Sequence, residues 1–349
     1  MSERAALRKV LTHLLLPILM CIGMGLAYES AFHAPSPHHM KVAVVGSGPQ
    51  ADVLAQTLKD TAGDALDVST IATPAAAQAQ IMDRTLIAAY TPAANAATAP
   101  TLTVATANSA TDVEVAQKIF TQVAAAQHQP LTVDDLTPMP SQDPTNQALF
   151  FLLVAISIGS YGSVAVLGGA GAVLRMRTRA ALCLGVSFAV AVIGTVLAGP
   201  VFHFVQHDLF GLFGLAWVYS FAVVAIGTAL HRFLGRWTTL GTMLLFVMLN
   251  FTSSGGVFRP ELQNGFFASL HAFWIGSGFV EGSRSLLYFD GRAGFASDVW
   301  ILVIWAAVGA AALALTGLFE RKGRPTPALL AAETAADRAE EREEAAVAA

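Results

Sequence analysis

The chain alternates between long apolar runs and one extended stretch of mixed polarity. A helix needs about 20 mostly apolar residues to cross the hydrocarbon layer of a bilayer. Six runs meet this length, at about residues 10–31, 148–174, 180–204, 210–230, 238–258 and 299–319. The pattern predicts an α-helical polytopic membrane protein with one transmembrane helix at 10–31 and a five-helix bundle over 147–320.

Residues 32–146, between the first two apolar runs, predict a small α/β extracytoplasmic domain. Strand-like runs there alternate with Ala-rich segments of helical spacing, as in an α/β layer fold. The predicted strands are 41–46, 66–72, 85–92, 101–108 and 131–140. The predicted helices are 52–63, 73–83 and 109–127, and HAPSPHH (33–39) is predicted as a linker.

Basic residues in the short connections predict the orientation of the bundle. Their clusters are Arg175, Arg177 and Arg179; His231, Arg232 and Arg236; and Arg321, Lys322 and Arg324. Short cytoplasmic loops are rich in Lys and Arg, and all three clusters fall on one side of a six-helix arrangement. We therefore expect a multi-pass protein of the cell membrane with a cytoplasmic N-terminal segment (1–9) and an acidic cytoplasmic tail (321–349).

The first apolar run has a second interpretation. Arg4, Arg8 and Lys9 precede it, as basic residues precede the apolar core of a signal peptide. Because the run is long for such a core, an uncleaved anchor is favoured, and cleavage after Ala27 is the alternative.

Composition and motifs narrow the function classes. Hydrophobic residues make up 54% of the chain and charged residues only 13%, against about 25% charged in soluble proteins. The net charge of −4 gives no support for a nucleic-acid partner. The sequence contains no P-loop, no G-x-S-x-G and no H-E-x-x-H motif. We expect neither an ATPase nor another ordinary enzyme, and no bound cofactor or metal.

Three polar motifs have a chemical and a structural interpretation. GSGPQA (46–51), with Asp67 downstream, fits a pyrophosphate-binding turn, but Pro49 removes a backbone donor and a tight strand-to-helix turn is favoured. His203 and His207 would share one face of a helix, as in a two-histidine metal site, although an interfacial polar loop is favoured. His33, His38 and His39 are best explained as part of the linker.

The most informative segment is the loop at 250–297, which is too polar to face lipid and too apolar to be solvated. Residues 265–289 predict two short amphipathic elements, in which Glu281 and Arg284 can pair at i,i+3 on a helix. The motifs of this loop lie within residues 250–291, called the 250–291 loop below. They comprise Asn250, Ser253, Gly255, Gly256, Pro260, Glu261, Leu262, Gly265, Phe266, Phe267, Glu281, Gly282, Ser283, Arg284, Tyr288, Phe289, Asp290 and Gly291. This pattern resembles the last periplasmic loop of type-2 ABC transporter permeases, and most closely the phage-infection-protein (YhgE/Pip) group.

The resemblance implies a permease-like subunit of an export or cell-envelope system. It implies a homodimer with a pathway between two bundles, any ATPase on a separate chain, and a substrate or gating loop. The gating residues would be Asn250, Ser253, Gly255, Gly256, Pro260, Glu261, Glu281 and Arg284. The chain departs from the family pattern where Gln263 and Asn264 replace a second proline. There are two alternatives. One is a non-transporting receptor or scaffold whose outer domain binds an envelope partner, and the other is an intramembrane enzyme that uses His203, His207 and nearby carboxylates.

Overall fold

The computed structural model describes residues 3–95, 98–169, 171 and 174–322. The first helix, α1 (Glu3–Phe32), begins inside the segment predicted as a short N-terminal extension. Most of the described residues in its apolar stretch Val10–Phe32 are exposed. The helix touches the rest of the protein along one edge, where Gly23 lies against Met248. From residue 323 on, the predicted acidic tail lies outside the described residues.

The predicted α/β domain follows a short irregular linker. Its elements are β1 (Met40–Val45), α2 (Pro49–Ala62), β2 (Leu66–Ile71), α3 (Pro74–Met82), β3 (Ala88–Thr91), β4 (Thr101–Val104), α4 (Ala110–Ala126) and β5 (Thr132–Asp135). All the strands and helices predicted for this region are present. The last three strands have four residues each and are shorter than the predicted runs 85–92, 101–108 and 131–140. Thr73 and Ser109, the N-caps of α3 and α4, accept hydrogen bonds from the backbone three residues on, as short polar residues do before a helix.

The sheet has the strand order β2-β1-β3-β4-β5, in which only β3 and β4 are antiparallel. Side chains alternate between the two faces of a strand. Val42 and Val44 therefore join the core formed with α2 and α4, whereas Ala43 and Val45 join the core formed with α3. Both faces of the central strand are thus covered by helices.

The second half of the chain forms the helical bundle. Its elements are α5 (Ala148–Gly168), α6 (Met176–Val196), α7 (Leu209–Leu234), α8 (Thr238–Ser253), α9 (Gly265–His271), α10 (Ile275–Tyr288) and α11 (Phe295–Lys322). Within the described residues, five helices are long and apolar enough to cross a membrane: α1, α5, α6 (with a wider π turn that continues to Val201), α7 and α11. Large apolar side chains on the outer faces of α5, α6 and α11 are exposed.

The sixth predicted transmembrane helix, at 238–258, is shorter than expected. Helix α8 ends at Ser253 after 16 residues, which corresponds to about 24 Å at 1.5 Å per residue. Residues 254–258 leave the helix but remain buried or half-buried against protein, the environment in which non-helical backbone is tolerated at membrane depth. The predicted run therefore consists of a helix and a protein-covered irregular segment.

Helix α7 lies at the centre of the bundle and contacts α5, α6, α8, α10 and α11. Tyr219 on α7 is fully buried, and its hydroxyl lies 2.5 Å from Ser157 Oγ on α5 and 2.8 Å from Asn250 Nδ2 on α8. Polar contacts of this kind join helices in a medium where hydrophobicity does not. They tie three helices of the bundle together.

Glycines allow the helices of the bundle to approach closely. A Cβ at Gly194 of α6 would lie 2.8 Å from Ile156 of α5, and one at Gly227 of α7 would lie 2.5 Å from Val164 of α5. At these positions the small residues of the apolar runs are explained by tight packing.

Candidate functional site

Helix α10 is the element on which the candidate site is built. Twelve of its fourteen residues are buried, including Glu281 and Arg284. A Cβ at Gly278 would lie 3.0 Å from the α11 backbone at Asp298, and one at Gly282 would lie 3.3 Å from the Asp298 side chain. The glycines of this helix therefore let it sit close to α11, and the second predicted amphipathic element is packed inside protein.

Glu281 stands at the centre of a buried ionic cluster. Its Oε1 accepts a hydrogen bond of 2.6 Å from Arg284, one helical turn away, which confirms the predicted pair. Its Oε2 accepts from Arg84, which follows α3 in the α/β domain. Arg84 also donates to the Glu281 backbone carbonyl. One carboxylate is thus shared by two arginines that are 200 residues apart in sequence.

The irregular segment after α8 packs directly against Glu281. The Gly255 carbonyl accepts a hydrogen bond from Arg284 at 3.3 Å. Gly255 has φ +76°, and a Cβ there would lie 2.6 Å from His271 Cε1 and 2.7 Å from Glu281 Oε1. Only glycine combines this backbone conformation with so close an approach.

His271, at the end of α9, is held as a neutral imidazole. Its Nδ1 lies 2.9 Å from the Ser253 carbonyl, and because a carbonyl only accepts, Nδ1 carries the proton. Burial, with Arg259 nearby, lowers the pKa of His271 to about 4. Its Nε2 therefore faces Glu281 Oε1, 3.9 Å away, without a positive charge at neutral pH.

A second group of polar residues extends the cluster into the α/β domain. Asn108 Oδ1 accepts hydrogen bonds from Arg84 and from Arg259. Arg259 lies 3.6 Å from Glu261 and 4.0 Å from Asp112, a buried residue in the first turn of α4. Arg84, Arg259 and Arg284 therefore converge on Glu281, Glu261 and Asp112, with residues of the α/β domain and of the 250–291 loop on both sides.

Asp112 is the least well-partnered member of the cluster. Its side chain is fully buried, and neither carboxylate oxygen has a hydrogen-bond partner among the described residues. Burial, assisted by the charge of Glu261 and opposed by Arg259, raises the pKa of Asp112 to about 7. Its ionisation therefore falls near neutral pH, unlike that of an ordinary aspartate.

Apolar contacts hold the same two parts together around the cluster. Phe258 and Leu262 of the loop pack into the core on the α2–α4 face of the sheet. Phe289, just after α10, is buried in the core on the α3 face, and the Arg84 guanidinium lies 5.5 Å from its ring centroid. The charged cluster is thus shielded between two apolar patches, where charge interactions are stronger than in water.

The eight residues predicted for the loop fall into two groups. Gly255, Glu261, Glu281 and Arg284 lie in the ionic cluster, and the Ser253 carbonyl accepts from His271. The remaining three, Asn250, Gly256 and Pro260, lie outside the cluster and have structural roles.

Asn250 binds Tyr219, Gly256 lies against Phe150, and Pro260 opens a short 3₁₀ turn, Pro260–Leu262. No sequence pattern identifies Arg84, Asn108 or Asp112 as residues of the site, and none indicates the role of Arg259. The first three come from a separate domain, and the left-handed conformation of Arg84 (φ 57°) has no sequence signal.

The other candidate sites are not assembled. Asp67 is the second residue of β2, four positions before the end of the strand nearest the 46–51 turn, and thus about 13 Å away along the strand. It lies beside His39 and not at a ribose site. His203 and His207 lie in an irregular segment, as the favoured interpretation of a polar loop predicts, and not on the helix that a two-histidine metal site would require. The chain leaves the helix after the π turn containing Pro200, and His203 has φ 56°. In the described part of the chain, no three His, Cys, Asp or Glu side chains are grouped to hold a metal.

Comparison of the chain with protein-family models, with curated proteins and with solved structures finds no match.

Proposed function

We propose that the chain is a permease-like membrane subunit of an export or cell-envelope system, in which the outer α/β domain and the 250–291 loop act as one unit. The resemblance of that loop to type-2 ABC transporter permeases suggests the class. The observation that carries the proposal is the buried contact of Arg84 with Glu281, which couples the α/β domain directly to a helix inside the bundle.

In this proposal the ionic cluster transmits movement. A displacement of α10 relative to the α/β domain would break the contact between Glu281 and Arg84. Arg284 lies on the same helix as Glu281 and would move with it. A buried charge that loses its partner is costly, about 3–5 kcal/mol. The outer domain would therefore follow α10 as a rigid partner during a transport cycle.

Energy would come from a separate subunit. The sequence has no P-loop, so hydrolysis of ATP requires another chain on the side of the basic connections. Two copies of this chain would form the pathway, as the family resemblance implies.

The proposal is tested by purification from native membranes. We expect the full-length tagged protein, cross-linked in place, to co-purify with a nucleotide-binding subunit in a fixed ratio. An equally abundant tagged multi-pass protein serves as the control and should not retain that subunit. Repeated recovery without an ATPase, together with an unchanged efflux profile in a deletion strain, would contradict the proposal.

One observation favours the receptor or scaffold alternative. An open cleft of about 380 Å³ lies at the carboxyl ends of β1 and β3, lined by residues 45–51 with Leu54, Pro92 and Gln127, the edge at which α/β sheets bind ligands. In the full-length protein, Gln50→Trp would fill the cleft and abolish capture of an envelope partner. Gln56→Trp, exposed farther along α2, is the matched control. Equal capture by both variants would exclude the cleft.

A further inference from the structure

A groove between α6 and α11 is lined by none of the residues of the ionic cluster. It has a volume of about 430 Å³ and is lined by side chains of α6, α7 and α11. Its wall on α11 includes Ala310, Ala314 and Gly317, spaced so that they lie on one face of the helix. Small residues on this face leave the space that larger side chains would fill.

The groove has a polar end and an apolar body. Arg177 is the charged residue of its lining, next to Met176 at the start of α6. Arg175 and Arg177 are both exposed, and in the described part of the chain neither side chain has an ion-pair or hydrogen-bond partner. Arg179, by contrast, is buried and bound to Glu320 of α11, so its charge is not available to a ligand.

We infer that this groove binds an anionic phospholipid. An acyl chain would lie along Ala180, Leu184, Ala310 and Ala314, and the phosphate would meet Arg177 at the end of the helix pair. The two parts of the groove fit the two parts of such a lipid. The surrounding helices are long and apolar enough to span a membrane, and the unpaired arginines lie at the end of the helices, where a bilayer has its headgroups. The free amides at the start of α6 add positive potential at the same end.

A second copy of this chain fits the groove less well. A two-fold axis along the membrane normal would bring the same end of α6 together from both copies. Arg177 would then face Arg177, while the nearby Glu320 is already bound to Arg179. Charge complementarity therefore favours a lipid phosphate over another protomer.

The test uses the full-length protein extracted from vesicles of equal phosphatidylcholine and phosphatidylglycerol, with the retained lipids counted by native mass spectrometry. We expect preferential retention of phosphatidylglycerol, and a loss of about fivefold in that preference for Arg177→Gln. Arg232→Gln removes an equally exposed arginine outside the groove and should keep the wild-type preference. Equal losses in the two variants would overturn the proposal.

A second variant tests the body of the groove. Ala314→Trp should remove the retained lipid whatever its headgroup, while size-exclusion chromatography shows an unchanged protein peak. Unchanged lipid retention in this variant would overturn lipid binding. If the number of protomers changes at the same time, the groove is occupied by a second copy of the chain instead. Should Ala314→Trp not fold, the exposed Arg177→Gln variant still decides the matter.

Discussion

Glu281 is the residue on which the proposed coupling depends most. It neutralises Arg84 and Arg284 in an environment from which water is excluded. Glu281→Gln keeps the size of the side chain but leaves two buried arginines without their shared counter-charge. We expect a loss of about 3–5 kcal/mol in the free energy of unfolding, measured as a lowered Tm of the protein purified in detergent.

The control for this prediction is Glu114→Gln. Glu114 is an exposed glutamate on α4, and its substitution should leave Tm unchanged. A double-mutant cycle with Arg84→Gln adds a sharper test, since the two losses should be strongly non-additive if the pair acts as a unit. Additive losses would mean that Arg84 and Glu281 stabilise the protein independently.

Asp112 predicts a pH dependence of stability. Its pKa in the folded protein, about 7, lies above the value near 3.9 of an unfolded chain, so the folded state binds the proton more tightly. Its contribution to stability is fully present below pH 4 and is lost as the pH rises through 7. We expect Tm to fall from about pH 4 to about pH 7 and to level off above it, and Asp112→Asn to flatten that fall.

The matched control is Asp52→Asn, at an exposed position in the first turn of α2. It should retain the wild-type pH dependence. If Asp112→Asn and Asp52→Asn show the same decline as the wild type, Asp112 is not the group that titrates, and the ionic cluster does not respond to pH through it.

Among the elements, the irregular segment after α8 is the one that shapes the cluster. Gly255→Ala would place a methyl group against His271 and Glu281 in a left-handed conformation, which costs about 1–2 kcal/mol before any displacement. We expect a lowered Tm and faster limited proteolysis of the α/β domain, since the loop would no longer seat it.

Gly265→Ala provides the comparison for this element. Gly265 begins α9, and a Cβ there meets nothing within 4 Å, so we expect no loss of stability. Similar proteolysis rates for the two variants would show that the close approach at Gly255 does not hold the domain in place.

Elements that depend on neighbouring residues in the sequence could be predicted, whereas contacts between residues far apart in the sequence could not. The strands and helices of the α/β domain follow local periodicity, and the Glu281–Arg284 pair follows from spacing on one helix. The partners of that pair could not be predicted, because Arg84 reaches Glu281 across 197 residues through the docking of two domains. The end of α8 was missed because residues 254–258 remain apolar or small while their backbone leaves the helix.

At the scale of the whole molecule, burial explains why the α/β domain is not a freely tethered module. Loop residues enter both of its cores, Leu262 on one face and Phe289 on the other, and the ionic cluster lies between them. Linker residue His38 also donates through its backbone to the Glu261 carbonyl. The domain and the 250–291 loop therefore form one folded unit, which is why the proposed function assigns movement to both together.

The last prediction concerns the side of the membrane on which this unit lies. It depends on whether the short helix α8 crosses the membrane. With 16 helical residues, α8 completes a crossing only if the buried segment 254–258 contributes to it. Reporter fusions at about residues 90, 206 and 280 should report the outer side, and fusions at about 176, 234 and 335 the cytoplasm. If fusions at 234 and 280 report the same side, α8 does not cross and the loop lies with the basic connections. A cytoplasmic signal at residue 90 would reverse the whole arrangement and place the ionic cluster inside the cell.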